Sequence, residues 1–157
     1  VLQLGNQDWT VLITPGHHPG HVCLLSDAGL VAGDMVAGIG TILIPPGTGD
    51  MDVYIEQLQR LQLLNPHLMF PSHGPVIPLP NKTLAYYIKH RMERHQRVLD
   101  AVRSGLARIS EISAEAYANT PDAHPGLAQD QTLAHLLSHE RAGRVQQTNK
   151  GWIRGDD

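Results

Sequence analysis

Three histidines crowd one Gly/Pro-rich turn, Thr14-Pro15-Gly16-His17-His18-Pro19-Gly20-His21. Proline and glycine set the backbone shape of a loop, so imidazoles placed there are held where a metal ion or a proton can be handled. Two further residues occupy positions of the same kind: Asp34 after Gly33, and His73 between Ser72 and Gly74-Pro75. His17, Asp34 and His73 each follow or end a short strand-like run on a glycine-flanked turn. Neighbouring strand ends converge on one edge of a layered β structure, so residues far apart in sequence can meet there. Two imidazoles and a carboxylate suit Zn²⁺, at about 2.0–2.2 Å per ligand. A carboxylate can also bridge two ions about 3.5–4 Å apart, a pairing that generates hydroxide at neutral pH. Taken singly, each residue has a plainer reading as a surface turn histidine, a turn-forming aspartate or a loop cap. Their shared position type predicts one site. No His-x-His pair occurs in the chain, so the set reads as part of a metal site.

The elements that must position these residues follow from pattern. Trp9 to Thr14 and His21 to Leu25 are rich in β-formers, with turns at Gly5-Asn6 and Asp27-Ala28-Gly29. Leu30 to Asp34 predicts a short buried strand ending in a carboxylate. Asp50 predicts an N-cap for a helix over 51–64, with apolar spacing Tyr54, Leu58, Leu61 and Leu64. Leu68-Met69-Phe70 predicts a second short strand, completing a layered βαβ alternation. Pro78 and Pro80 mark a boundary. Beyond it, Asn81 is expected to cap a helix over 82–104 whose apolar face runs Leu84, Ile88, Met92, Val98 and Val102. A short helix from Ser110 to Tyr117 and a third from Gly126 to Glu140, with core residues Leu127, Leu133, Leu136 and Leu137, come next. Two strands within Val145 to Arg154, joined at Asn149-Lys150-Gly151, would make a ribbon after the helices, as in a winged helix-turn-helix. The expected domains are therefore 1–80 and 81–157.

Composition bounds the class. The chain has 157 residues, 41% hydrophobic and 17% charged, which suits one ordinary globular domain or two very small ones. No apolar run reaches the roughly 18 residues of a membrane span. Val1-Leu2-Gln3-Leu4 has no basic n-region and reads as a strand entered midway, as in a fragment or processed chain. A single cysteine, Cys23 in the run Val22-Cys23-Leu24-Leu25, favours a reducing, cytoplasmic compartment and a buried thiol. Residues 1–80 carry one base and six acids, a net of −5, while residues 81–157 carry 11 bases and nine acids, a net of +2. That small basic excess does not by itself imply nucleic acid.

Two other histidine sets stand apart. His135 and His139 lie four apart on a helix, but His-Leu-Leu-Ser-His lacks the Glu of a metalloprotease helix. An exposed helical face is the expected setting. His90 and His95 lie beside Arg91, Arg94 and Arg97, a grouping expected to form a solvated basic face that an anionic substrate could approach.

Thr14-Pro15-Gly16-His17, Gly33-Asp34 and Ser72-His73-Gly74-Pro75 together resemble the later motifs of the metallo-β-lactamase superfamily. Gly49-Asp50, Tyr54, Leu58, the segment Tyr86-Tyr87-Ile88-Lys89-His90-Arg91 and the winged-helix-like tail are similar to its β-lactamase-like protein 2 branch. The resemblance implies an α+β fold: the C-terminal half of an αββα metallo-hydrolase sandwich, followed by a helical winged-helix-like domain. It implies that His17 is a ligand of a first zinc, Asp34 the bridging carboxylate and His73 a ligand of a second. His21 is implied to support the site from behind, and His18 to be exposed. The superfamily's opening His-x-His-x-Asp-His motif has no counterpart here, so four of seven expected ligand side chains are lacking. Half a sandwich would expose an apolar sheet face, to be covered by the other half or by a second copy.

Three functions follow. The first is a metal-dependent hydrolase of esters, thioesters, lactams or phosphodiesters, expected to be weak or inactive as this half alone. The second is a single-stranded RNA endonuclease of the same fold. Its candidate recognition helix, Gly126 to Glu140, carries no Lys or Arg, so packing against the hydrolase part is the preferred role of the tail. The third is a non-catalytic homodimeric module with vestigial metal residues.

Overall fold

The computed structural model describes residues 1–155, so Asp156 and Asp157, the end of the expected tail domain, lie outside the described residues. Five strands come first, β1 (Leu2–Leu4), β2 (Gln7–Ile13), β3 (Val22–Ser26), β4 (Gly29–Gly33) and, after helix α1 (Met51–Leu63), β5 (Met69–Pro71). They form one sheet in the order β1-β2-β3-β4-β5. The first four pair antiparallel, and α1 carries the chain back so that β5 lies parallel to β4. Helices α2 (Pro80–Arg103), α3 (Ile109–Ala116) and α4 (Pro125–Arg141) follow, then the ribbon β6 (Val145–Thr148) and β7 (Gly151–Arg154). The protein is α+β, with a five-stranded sheet and helix α1 ahead of a helical part and a two-stranded ribbon.

Asp50 caps α1 as expected, its Oδ1 accepting from the backbone N–H groups of Asp52 and Val53 at 2.9 and 3.2 Å. Tyr54, Leu58 and Leu61 are fully buried on the helix face that covers the sheet, whereas Leu64, at the C-cap, is exposed. One core cluster joins that face to Cys23, Leu30, Ala32 and Met69 of the sheet and to Leu84 and Tyr87 of α2. A second joins Val98 and Val102 of α2 to Ile112, Leu136, Val145 and Trp152. The long helix α2 thus belongs to both.

The opposite sheet face is uncovered. Strand register sets Val11, Leu24, Val31 and Phe70 in one row and Ile13 beside Val22 in the next. Val11, Ile13, Val22 and Val31 are exposed, Ile13 by 66%, a patch of the kind that marks an interaction surface.

Several helical expectations are corrected. Asn81 does not cap α2: Leu79 is the N-cap and Pro80 takes the first helical position, where its missing N–H costs nothing. Asn81 instead bonds Asn65. The buried stripe of α2 runs Leu84, Tyr87, Arg91, Arg94/His95, Val98 and Val102, so Met92 is exposed. A stripe traced through apolar residues alone skipped its charged members. In α4 the buried positions include Gln131, Thr132, His135, Ser138 and His139, and Leu127 is exposed. Neither the His135/His139 face nor the grouping of His95, Arg91 and Arg94 is solvated.

Candidate metal centre

The turn after β2 is closed by Thr14 N–H bonding the His21 carbonyl at 3.0 Å. Gly16, at φ +132°, lets this turn lie against the start of α1, where a Cβ would stand 2.4 Å from the Tyr54 Cα. The Gly16 carbonyl in turn accepts from Asp50 N–H at 2.7 Å. His17 is thereby presented at the strand edge with its Nδ1 2.7 Å from the Leu43 carbonyl. A carbonyl only accepts, so Nδ1 carries the proton and Nε2 keeps its lone pair.

That Nε2 stands 3.8 Å from Asp34 Oδ2, and His73 Nε2 stands 3.2 Å from Asp34 Oδ1. The carboxylate lies between the two imidazoles, one at each oxygen. The structure therefore brings His17, Asp34 and His73 together from three chain segments. His73 arrives on the loop after β5, which is tied down by Ser72 N–H to the Gly33 carbonyl and by Gly38 N–H to the His73 carbonyl. Its side chain is nonetheless 71% exposed.

His21 is committed elsewhere. Its Nε2 accepts from Asp34 N–H at 3.0 Å, so the neutral ring's proton is on Nδ1, which donates to Thr14 Oγ1 at 2.8 Å. Thr14 hands its own proton to Cys23 Sγ, 3.3 Å away. Burial lowers the His21 pKa and keeps the ring neutral. Gly33, at φ +54°, is required here because a Cβ would meet His21 Nε2 at 2.6 Å. Both His21 nitrogens are spent, one on the Asp34 backbone and one on Thr14. His18 is exposed, its ring accepting from the Gly20 N–H and its carbonyl from the His21 N–H within the same turn. Cys23 is fully buried, its thiol pushed up to about 11 by burial.

The donor types suit a cation. Asp34 Oδ1 is buried and accepts no hydrogen bond, the state of an oxygen shaped for a positive charge rather than for a protein donor. The set is also open, because among the described residues no group of three or more His, Cys, Asp or Glu side chains could by itself hold a metal ion.

Sequence reasoning missed the groups that hold this edge. Tyr87 Oη accepts from Ala37 N–H at 2.8 Å and donates to the Gly40 carbonyl. Arg91 bonds the Ile42 carbonyl, and Gln131 bonds both the N–H and the carbonyl of Ile44, at 3.2 and 2.9 Å. Residues of α2 and α4 thus grip the backbone on either side of Leu43, the anchor of His17. The available signal was the polar stripe Gln131, His135, Ser138/His139, whose helical spacing matches a buried face.

Residues 2–73 match the family described as the metallo-beta-lactamase superfamily, and over that sheet half the chain is similar to its members. It is 30% identical over 151 residues to the Beta-lactamase-like protein 2 homolog of Drosophila melanogaster, covering 89% of this chain and 50% of that protein. It is also 30% identical over 95 residues to an Atrochrysone carboxyl ACP thioesterase of Aspergillus fumigatus, covering 59% of this chain and 29% of that protein. A metallo-beta-lactamase family protein of Thermus thermophilus shares the fold, with a TM-score of 0.81 at 21% identity over 98% of this chain and 51% of that one. The chain spans about half the length, or less, of these curated relatives. No helix among the described residues is long and apolar enough to cross a membrane.

Proposed function

We propose that this chain is the half of a metal-dependent hydrolase that contributes His17, Asp34 and His73 as zinc ligands. One observation carries the reading: the Asp34 carboxylate lies between His17 Nε2 and His73 Nε2, with one oxygen facing each. Zinc, when bound, supplies a nucleophilic water at neutral pH and polarises the scissile group. His17 offers a single lone pair in a fixed direction because Leu43 holds its other nitrogen. The Asp34 backbone is held at this edge by the bond from its N–H to His21 Nε2. His73 is the most exposed of the three and faces the solvent from which substrate comes. The remaining donors would come from a His-x-His-x-Asp-His segment in a half that also covers the open sheet face. A second copy of this chain is the alternative cover. The likeness to a protein named as a thioesterase favours a thioester or ester among the substrates.

α2 gives the RNA reading little of the solvated basic face expected there. Arg91 and Arg94 are buried and bond backbone carbonyls, so they do not form the basic stripe that holds a phosphate backbone.

The test is to join the chain behind a segment supplying His-x-His-x-Asp-His, then measure bound zinc by mass spectrometry alongside thioester and phosphodiester hydrolysis. The extended protein should retain zinc and hydrolyse thioester, and Asp34→Ala should cut hydrolysis by at least about 100-fold. Bound zinc without hydrolysis of either probe would sink the proposal.

A further inference from the structure

A cavity of about 350 Å³ opens between the segment around Ile42, helix α2, the loop around Thr120 and the first turn of α4. Its walls are apolar and aromatic, with Ile42, Leu43, Tyr86, Tyr117 and Leu127 among them. Arg91 and Arg94 also line it, and they are only 3% and 4% exposed. A guanidinium keeps its charge at any ordinary pH, and a buried charge is costly unless it is paired. Yet among the described residues neither arginine has a carboxylate in ion-pair range. No Asp or Glu lines the cavity either.

The partners these arginines do have are neutral. Arg91 donates to the Ile42 carbonyl and, at 2.6 Å, to Gln131 Oε1. Arg94 donates to the Ala116 carbonyl and, at 3.0 Å, to Thr120 Oγ1, with its guanidinium 3.7 Å from the centre of the Tyr117 ring. The Nε atom of each is buried with no hydrogen-bond partner. The first turn of α4, which carries no acidic residue and no side-chain cap, contributes Leu127 and Ala128 to the same cavity. The N-terminal end of the helix adds a positive field, although Pro125 has no N–H and the Ala128 N–H is already bonded to the His124 carbonyl at 2.9 Å. Two buried cations, unpaired donors and aromatic walls want an anion with an apolar body. The volume lies at the low end for small-molecule pockets, which suits one ring system or a short branched chain rather than a polymer.

We propose that this cavity binds a small organic carboxylate with an aromatic or branched aliphatic body. The carboxylate is drawn to Arg91 and Arg94, and the body sits among Tyr86, Tyr117 and Leu127. Leu43 lines the cavity while its carbonyl holds His17, so the cavity shares a wall with the candidate metal centre. On the hydrolase reading, on which this last step rests, the carboxylate is the non-reacting end of the substrate.

Isothermal titration of the metal-free chain with naphthoate, its neutral analogue naphthylmethanol and adenosine monophosphate tests the proposal. Naphthoate should bind at least about tenfold tighter than the alcohol, the discrimination expected of a charged hydrogen bond. Arg94→Gln should erase that preference. Leu127→Glu, at an exposed position, supplies an internal carboxylate and should abolish naphthoate binding with an unchanged circular-dichroism spectrum. Equal binding of acid and alcohol, no binding, indifference to Leu127→Glu, or tighter binding of the nucleotide would each overturn the proposal. None of these bears on zinc retention at Asp34, which tests the hydrolase reading separately.

Discussion

Two histidine clusters in this chain have opposite chemistry. At the strand ends, His17 and His73 face Asp34 with Nε2 atoms at 3.8 and 3.2 Å, in a partly exposed setting. Between α2 and α4, His95, His135 and His139 are buried and bond mainly one another and Arg144. Their protons can be placed one by one. Arg144 donates from Nε to His139 Nδ1 at 2.9 Å, so His139 donates from Nε2 to the His95 carbonyl at 2.8 Å. Arg144 also donates to His95 Nε2, so His95 Nδ1 donates to His135 Nδ1 at 3.2 Å. The remaining proton falls on His135 Nε2, which is buried without a partner. All three rings are neutral, and none has a lone pair left for a metal. Free lone pairs, rather than the number of histidines, distinguish the candidate metal-binding edge from the structural cluster.

Acid should separate the clusters most strongly. Burial, above all, lowers the pKa of His95 to about 4 and lowers those of His135 and His139. Arg144 facing His95 and His139, and Arg91 facing His135, act the same way, while Asp52 opposes them at His95 and His139. The unfolded chain takes up these protons near pH 6.5, whereas the folded chain refuses them. The contribution of these histidines is therefore complete above about pH 6.5 and falls as the pH drops, for His95 down to about pH 4 at up to about 1.4 kcal/mol per pH unit. His95 alone accounts for about 3 kcal/mol by the bottom of that range. Urea unfolding at pH 7.5 and pH 5 should show the fall, and His95→Phe should flatten it. A slope unchanged by that substitution would break the comparison.

A smaller effect sharpens the other side. His21→Ala leaves the Asp34 N–H without its acceptor while keeping His17, Asp34 and His73. Zinc affinity of the extended protein should drop by about 10–100-fold, read by chelator competition. Affinity equal to that of the unsubstituted protein would reduce His21 to a packing residue.

The smallest effect concerns how the two regions are joined. Arg141 of α4 pairs with Asp50 and Asp52 at the start of α1, at 3.0 and 2.6 Å, but its side chain is 49% exposed. Arg141→Ala should cost less than about 1 kcal/mol in urea unfolding. A larger loss would mean that this ion pair, rather than the buried grip of Arg91 and Gln131 on Ile42 and Ile44, holds the regions together.

The sheet half was legible in the sequence because its signals are local. Glycine and proline turns bracket short β-forming runs, and Asp50 with Tyr54, Leu58 and Leu61 writes a capped amphipathic helix. The helical half was legible in element order, down to the ribbon joined at Asn149-Lys150, but its buried faces were misassigned. Arg91, Arg94, His95, Gln131, His135 and His139 are polar, and hydrophobic periodicity carries no account of polar groups that bond one another.

For the candidate metal centre, the chain by itself determined which residues are candidates, since His17, Asp34 and His73 share a strand-end, glycine-flanked position. It also determined that no His-x-His pair joins them. Only the tertiary structure decided which nitrogens are available. Leu43, brought to His17 from 26 residues away, leaves Nε2 free, while Thr14 and Asp34 consume both nitrogens of His21. Only the tertiary structure, too, turned a row of α2 arginines inward against neutral carbonyls. Residue types and spacing are properties of the chain, but a lone pair or a charge is free or spent according to what the fold places within about 3 Å of it.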